Sequence, residues 1–378
     1  MGLIINQKIL FITLTTFSRT GGVEKFNKCF LKALLDFNSE YNLESFSTSL
    51  YDDSVDKKYY TKDRFKGFSG NRISFVLQSI FSAKKFDHII IGHINLAMVG
   101  YGIKLLFPQK KVSLITHGYE VWTPLSGLKK KLVNKADLIF AVSNFTKEKL
   151  INKQKLNSNK IALFSNTIDP YFKIPDAFEV NSSLRNRYNL SESDFVLFTL
   201  TRLSATEGYK GYDIVIKCMP ALLKSIPNLK YVIAGKYDAL EKSRLDNLIG
   251  ELQLEDKVIF TGYLKNEEVE AHYQVGDLFI MPSMGEGFGI VFIEAMVCGM
   301  PVIGGNQDGS VDALKEGELG TLVNPLDEED ITNTIIALYK RRDEWTVEWK
   351  SDLQRKTMQT FGFPQYKKNL LSILSSSN

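Results

Sequence analysis

Short apolar runs recur along the chain, and most are followed by a stretch whose hydrophobic positions fall three or four residues apart. Lys8 to Thr15, Ile89 to Gly92, Val112 to Thr116, Leu138 to Val142 and Ile161 to Phe164 form a first series. Phe195 to Leu200, Tyr231 to Ala234, Val258 to Phe260, Leu278 to Met281 and Pro301 to Ile303 form a second. Runs that are apolar throughout, without alternation, are what strands covered on both faces require, so both series predict parallel strands. Tyr41 to Leu50 reads as one more strand, and the charged segment Tyr51 to Asn71 as loop. Helical spacing is clearest from Val23 to Phe37, where Phe26, Phe30, Ala33, Leu34 and Phe37 share a face. Strands alternating with helices make a doubly wound α/β chain. Further helices are expected around Glu328 to Arg341 and Pro364 to Leu374, and no internal repeat interrupts the pattern.

At 378 residues the chain is too long for one ordinary domain and suits two of about 150 to 200 residues. Its composition, 44% hydrophobic and 24% charged, is that of a globular protein. Cys29, Cys218 and Cys298 lie far apart and form no CxxC, so neither a disulfide framework nor a zinc site is indicated and a reducing, cytosolic compartment is expected. The opening MGLIINQKILFITLTTF lacks the basic n-region of a secretory signal, and Asn6 stands where a myristoylation motif wants Ser or Thr. His88 to Phe107 is the most membrane-like stretch, but His93, Asn95 and Lys104 within it make a strand followed by a helix the simpler reading. Charge is uneven: residues 1 to 180 carry 26 Lys and Arg against 15 Asp and Glu, and the remainder 21 against 28. A basic first half suits an anionic surface, and the acidic second half does not. Nucleic acid is not expected as a partner.

The chemistry concentrates between Asp277 and Gly304, which reads as strand, glycine-rich loop, helix and strand. The helix should begin near Gly289 and stop at Gly299, a residue type suited to a left-handed cap. Glu294 lies inside it with Ile290, Val291, Val297 and Cys298 at the neighbouring turns, so none of these offers it a cation. Either the carboxylate is solvated or paired with a distant Lys, or a group outside the helix hydrogen-bonds it. The loop Gly285-Glu286-Gly287-Phe288-Gly289 favours the second reading. Its glycines expose backbone amides at the positive end of a helix, where an anion is favoured. A ligand with both phosphate and hydroxyls would satisfy the whole stretch.

Glu286, seven intervening residues and Glu294, with Gly-Phe-Gly after the first Glu, resemble the signature of retaining GT-B glycosyltransferases of family 4, the glycosyl transferases group 1. The resemblance covers nearly the whole chain, strongest from 195 to 325 and weakest from 41 to 110. It implies two Rossmann-like doubly wound domains facing each other across a cleft. Residues 1–170 would bind the acceptor, with a C-terminal helix at about 360–378 packing back on them, and 171–360 would bind the nucleotide-sugar donor. Asn166-Thr167-Ile168-Asp169-Pro170 resembles the family's Asn-Gly-Val-Asp crossing point, which places the crossing near 168 to 193.

Roles follow residue by residue. By this resemblance Glu286, Gly287, Phe288 and Gly289 hold donor sugar and phosphate, and Glu294 binds the ribose hydroxyls. Arg202 and Lys210 match the cations that hold the donor diphosphate, although Thr201 replaces the usual Gly and the loop between them is longer than in many members. Gly235, Tyr263 and Leu264 follow strands at the edge where the base should lie. Gly21 and Gly22 open a helix at which the family lets backbone approach the donor phosphate and acceptor; the simpler alternative is a turn. His117 follows a strand end, where open α/β sheets bind ligands, and the family places a histidine there against the donor sugar. Asp308-Gly309-Ser310-Val311-Asp312 opens a helix where many members have Gly-Gly-x-Pro-Glu, a departure that bears on donor choice. Glu286, His117, Arg202 and Lys210 are the expected catalytic residues. No Asp-x-Asp clamp stands at a strand end, so neither metal nor another cofactor is expected.

Three functions compete. A retaining glycosyltransferase using a UDP-, GDP- or dTDP-sugar is favoured by Arg202, Lys210, Glu286 and Glu294 occurring together. A nicotinamide-dependent enzyme needs G-x-G-x-x-G after a strand, and Ile290 breaks that pattern after Gly285 and Gly287. A catalytically silent glycan- or nucleotide-binding protein on the same fold is the third. The basic first half and the family's habits suggest a lipid-linked acceptor from bacterial surface polysaccharide synthesis, and a cytoplasmic protein peripheral on the inner membrane face. Gly127 to Lys135, GLKKKLVNK, is either a solvated helix or a patch that meets anionic lipid.

Overall fold

The apolar runs become two all-parallel sheets in the computed structural model, which describes residues 7–375. The opening residues 1–6, read above for signal and acylation motifs, and the end of the expected C-terminal helix at 376–378 lie outside the described residues. One unit extends to Pro170 and takes in the chain again from Phe363; the other is Tyr171–Gly362.

In the first unit the strands are β1 (Lys8–Thr13), β2 (Glu44–Ser49), β3 (Phe65–Gly67), β4 (His88–Ile91), β5 (Lys111–Thr116), β6 (Leu138–Ala141) and β7 (Ile161–Leu163), in the order β3-β2-β1-β4-β5-β6-β7. They are joined by α1 (Gly22–Tyr41), α2 (Arg72–Ser82), α3 (Ala97–Leu106), α4 (Gly127–Lys135) and α5 (Asn144–Gln154). Alternate β1 side chains leave on opposite faces: Leu10 and Ile12 join the core under α2, α3 and α4, while the Phe11 ring meets Phe30 of α1.

Three features depart from the expectation. The segment Tyr51 to Asn71 is not all loop, because Phe65–Gly67 pairs in parallel with β2 as a three-residue edge strand. So short a run shows no period. Helix α1 continues past Phe37 to Tyr41, where Asn42 in the left-handed region caps it. Helix α2 was not anticipated, since its face carries apolar side chains on both the buried and exposed sides.

In the second unit β8 (Phe195–Leu200), β9 (Leu229–Ala234), β10 (Val258–Gly262), β11 (Leu278–Met281), β12 (Val302–Gly305) and β13 (Thr321–Val323) take the order β10-β9-β8-β11-β12-β13. The helices are α6 (Ser182–Arg187), α7 (Tyr212–Ser225), α8 (Ala239–Glu251), α9 (Asn266–His272), α10 (Ile290–Val297), α11 (Ser310–Ala313), α12 (Glu328–Lys340) and α13 (Val347–Phe361). The order of strands reverses between β8 and β11, which lie side by side with Leu278 opposite Leu197. In open α/β sheets such a reversal opens a crevice at the carboxyl ends of the strands. The last helix, α14 (Phe363–Ser375), belongs to the first unit: the Tyr366 ring packs tilted against Phe164 at 4.5 Å and meets Phe26 edge-on at 6.4 Å.

Candidate active site

Two loops leave the strand ends on either side of the reversal, and a third comes from β12. The first follows β8 and carries Arg202 and Lys210. The second follows β11 and carries Glu286. The third turns at Asp308. Backbone hydrogen bonds tie them together, with Met284 N donating to the Tyr209 carbonyl at 2.8 Å and Gly309 N to the Glu286 carbonyl at 2.8 Å. A Cβ on Gly309 would sit 2.1 Å from the Gly287 carbonyl oxygen, so the contact requires glycine.

Lys210 donates its ammonium to Glu286 Oε1, and the two side chains are largely buried together. Burial works against the ammonium charge, but Glu286 beside it holds the lysine above its ordinary range. Arg202 is exposed and forms a two-point pair with Glu207 from its own loop, Nε to Oε2 at 3.2 Å. Each expected diphosphate cation is thus matched to a carboxylate within the unit. Glu207 drew no attention in the sequence because it is one acid in an irregular loop.

Asp308 organises the turn. It is fully buried and accepts hydrogen bonds from Ser283 Oγ at 2.6 Å, Glu286 N at 2.7 Å and Ser310 N at 2.8 Å. Burial pushes its carboxyl up to about 6, against the opposing effect of these donors. The stretch from Asp308 reads as a helix opening, and Ser310 is a local partner, but Ser283 and Glu286 lie more than twenty residues away and no local pattern shows them.

Helix α10 begins after Gly289, whose φ of 88° is left-handed, and ends before Gly299, also left-handed at 74°. Glu294 is buried within it and receives the Tyr273 hydroxyl at 2.9 Å. Burial, reinforced by the Glu294 charge, holds that phenol well above its usual range, so it is the donor. The outside group required by the apolar stripe is therefore Tyr273, among the described contacts. The side chain of Phe288 is buried and turned edge-on to Phe361 of α13 at 5.4 Å, which leaves only its backbone on the loop surface. Gly235 sits where a Cβ would lie 1.8 Å from the Thr201 carbonyl, so loop crowding explains it. Tyr263 is exposed after β10, whereas Leu264 is buried.

The first unit holds the other expected residues. His117 follows β5, its backbone N–H donates to Glu120 Oε1 at 2.6 Å, and its Nε2 lies 2.8 Å from the Gly92 carbonyl. A carbonyl can only accept, so Nε2 carries the proton. His93, passed over in the sequence because it lay in an apolar run, stacks on His117 at 5.8 Å; burial and then His117 hold it below its ordinary pKa. Gly21 precedes α1 without a side-chain cap, and Gly22 has open space around its Cβ position. The Glu24 carboxylate, however, comes within 2.6 Å of a Cβ on Gly21, which sets a negative charge at this helix end.

Residues 180–352 match the family model described as glycosyl transferases group 1. The second unit belongs to this family. Among relatives of this chain, the GDP-mannose-dependent alpha-(1-6)-phosphatidylinositol monomannoside mannosyltransferase of Mycolicibacterium smegmatis is 29% identical over 65% of this chain and 68% of its own length. The GDP-mannose-dependent monoacylated alpha-(1-6)-phosphatidylinositol monomannoside mannosyltransferase of Corynebacterium glutamicum is 24% identical over 88% of this chain and 89% of its own. Anabaena HepE, solved in complex with UDP, superimposes with a TM-score of 0.79 at 20% identity, covering 98% of this chain and 100% of that one. The two doubly wound sheets are those of the GT-B fold. No helix among the described residues is long and apolar enough to cross a membrane.

Proposed function

We propose that the protein is a retaining glycosyltransferase that moves a hexose-type sugar from a UDP- or GDP-linked donor to a hydroxyl of a glycan acceptor. The observation that carries this reading is the Lys210–Glu286 pair on the glycine loop at the amino-terminal end of α10, with Glu294 buried inside that helix. A diphosphate suits Lys210, Arg202 and the helix end, and sugar or ribose hydroxyls suit the two carboxylates. Donor entry exchanges the Lys210–Glu286 and Arg202–Glu207 pairs for contacts to phosphate and releases Glu286 toward the sugar. The sugar–phosphate bond loosens first, and its electron pair leaves on the diphosphate oxygen that the two cations stabilise. The acceptor hydroxyl then enters on the same face and passes its proton to the departing diphosphate oxygen, so configuration is retained. The roles that the resemblance gives to His117, Gly21 and Gly22 belong to the same proposal. Relatives named for GDP-mannose and phosphatidylinositol mannosides support a GDP-sugar and a lipid-linked acceptor, and the UDP complex of HepE supports the other base.

Thermal-shift measurements with UDP-, GDP- and dTDP-sugars test the donor. A ligand at 100 times its Kd stabilises by about 2.7 kcal/mol, and no shift with any of the three would overturn the reading. Product from an α-linked donor should be α-linked. Turnover is expected to persist in excess EDTA, because Lys210, Arg202 and the helix end already place positive charge at the leaving group. Loss in EDTA with rescue by Mn²⁺ or Mg²⁺ would contradict the metal-independent mechanism.

A further inference from the structure

Helix α2 is only eleven residues long, yet it exposes Ile73 (76%), Leu77 (52%) and Phe81 (65%). Their spacing of i, i+4 and i+8 puts all three on one face. Scattered surface hydrophobics are ordinary, but a continuous stripe on a short helix is not. The stripe is not the helix's core contact, because Phe75 and Ser79 are the buried side chains. Helix α3 packs against α2 through Gly102, where a Cβ would come 3.0 Å from Ile80, and against α4 through Gly100 and Leu132. It too exposes Leu105 and Leu106.

Charge identifies the occupant. Helices α2, α3 and α4 contain no Asp or Glu, although the chain has 43, and they carry Arg72, Lys129, Lys130, Lys131 and Lys135, besides Lys104, which is largely buried and paired with Asp137. Lys84 and Lys85 follow α2 directly. Acid-free basic helices bearing an exposed apolar stripe have the two properties that bind a helix in the plane of an anionic bilayer without spanning it.

We propose that this face of the first unit, with α2 as its inserting element, docks on an anionic lipid bilayer. The inference rests on and deepens the reading of a lipid-linked acceptor, while the anionic partner follows from the charge of these helices and the exposed stripe. In this arrangement Ile73, Leu77 and Phe81 enter the headgroup boundary, and the lysines of α4 meet the negative surface. Lys130 contributes less than its neighbours, because its ammonium donates to the Gln154 carbonyl.

Co-sedimentation with vesicles of phosphatidylcholine, alone or with phosphatidylglycerol, tests the proposal without donor or acceptor. The intact protein should bind the anionic vesicles and release as salt rises. An Ile73→Gln, Leu77→Gln, Phe81→Gln variant should bind at least tenfold more weakly, and a Lys129→Gln, Lys131→Gln, Lys135→Gln variant roughly a hundredfold more weakly at low salt. Both should keep the wild-type Tm, since the stripe is exposed in the folded protein. Phe81→Trp should retain binding, and its emission should move to the blue on vesicles. Equal sedimentation of the stripe variant, or an unshifted Phe81→Trp spectrum, would overturn the proposal. So would wild-type self-association that the stripe variant abolishes, because the face would then belong to a second copy of the chain. A nucleotide-sugar response in a protein that ignores vesicles would sink the docking surface and leave the proposed reaction standing.

Discussion

Glu294 shows how far a single residue can be argued. Its apolar neighbours along the helix required a hydrogen-bond partner from elsewhere, and Tyr273 supplies one at 2.9 Å. If the carboxylate also receives ribose hydroxyls, Glu294→Ala should lose roughly 1.5 to 3 kcal/mol of nucleotide binding, a factor of about 10 to 150. The same change leaves the buried Tyr273 hydroxyl without its acceptor, so stability falls too, by about 1 to 3 kcal/mol. Glu294→Gln keeps an acceptor for Tyr273 and separates the effects. Calorimetry showing unchanged nucleotide affinity in both variants would remove the ribose role. The cations ask a different question, because each is already paired. Arg202→Ala and Lys210→Ala should each lower kcat by roughly 10² to 10³ if they meet developing charge on the diphosphate. Glu207→Gln should act in the opposite sense. Arg202 is exposed although Glu207 is largely buried, so the pair is worth about 1 kcal/mol, and releasing it should tighten donor binding about fivefold. Weaker binding in Glu207→Gln would mean that Glu207 positions Arg202 and does not compete for it.

At the scale of elements, the strands were legible because burial on both faces writes an uninterrupted apolar run. Helix α10 was legible because Gly289 and Gly299 mark its ends. The joining of three loops was not, since it depends on Asp308 reaching Ser283 and Glu286 across the ends of β11 and β12. Long-range polar contacts leave no period in a sequence. Asp308 also gives these loops an acid response of unusual sign. Its folded pKa of about 6 lies above the ordinary value of 3.8, so the folded state binds the proton more tightly than the unfolded chain. Its contribution to stability is therefore greatest below about pH 4 and is lost as pH rises through 6, opposite to an ion-paired carboxylate. Asn cannot titrate, but it also cannot accept every hydrogen bond the carboxylate accepts, so Asp308→Asn should be destabilising at low pH. Between pH 4 and 7 the difference between variant and wild type should move in favour of Asn by roughly 2 kcal/mol. Denaturant unfolding of both proteins across that range measures it, and a difference independent of pH would show that Asp308 stays ionised in the folded protein throughout.

Over the whole molecule, each unit has its own sheet and core, and the chain enters the first unit twice. The returning helix α14 places Tyr366 on Phe164 and Phe26, buries Leu370 and Leu374 completely, and pairs Lys367 with Asp36 and Glu40 of α1. The ion pairs are partly exposed and contribute little. Burial of the three large side chains contributes about 1.5 to 3 kcal/mol each, an upper estimate because the unfolded chain is not fully extended. Their sum approaches the roughly 5 to 15 kcal/mol that holds a domain folded. A chain ending at Gly362 should therefore lose the cooperative unfolding of the first unit, while residues 171–362 keep theirs, since α13 and every strand of the second sheet remain. Hydrogen exchange would separate the two: fast exchange in β1, β4 and β5, and slow exchange in β8 and β11 that slows further with whichever nucleotide stabilises the intact protein. Unchanged protection of β1 in the truncated chain would show that α14 is dispensable to the first core. Lost protection in both sheets would mean that the second unit does not fold without the first.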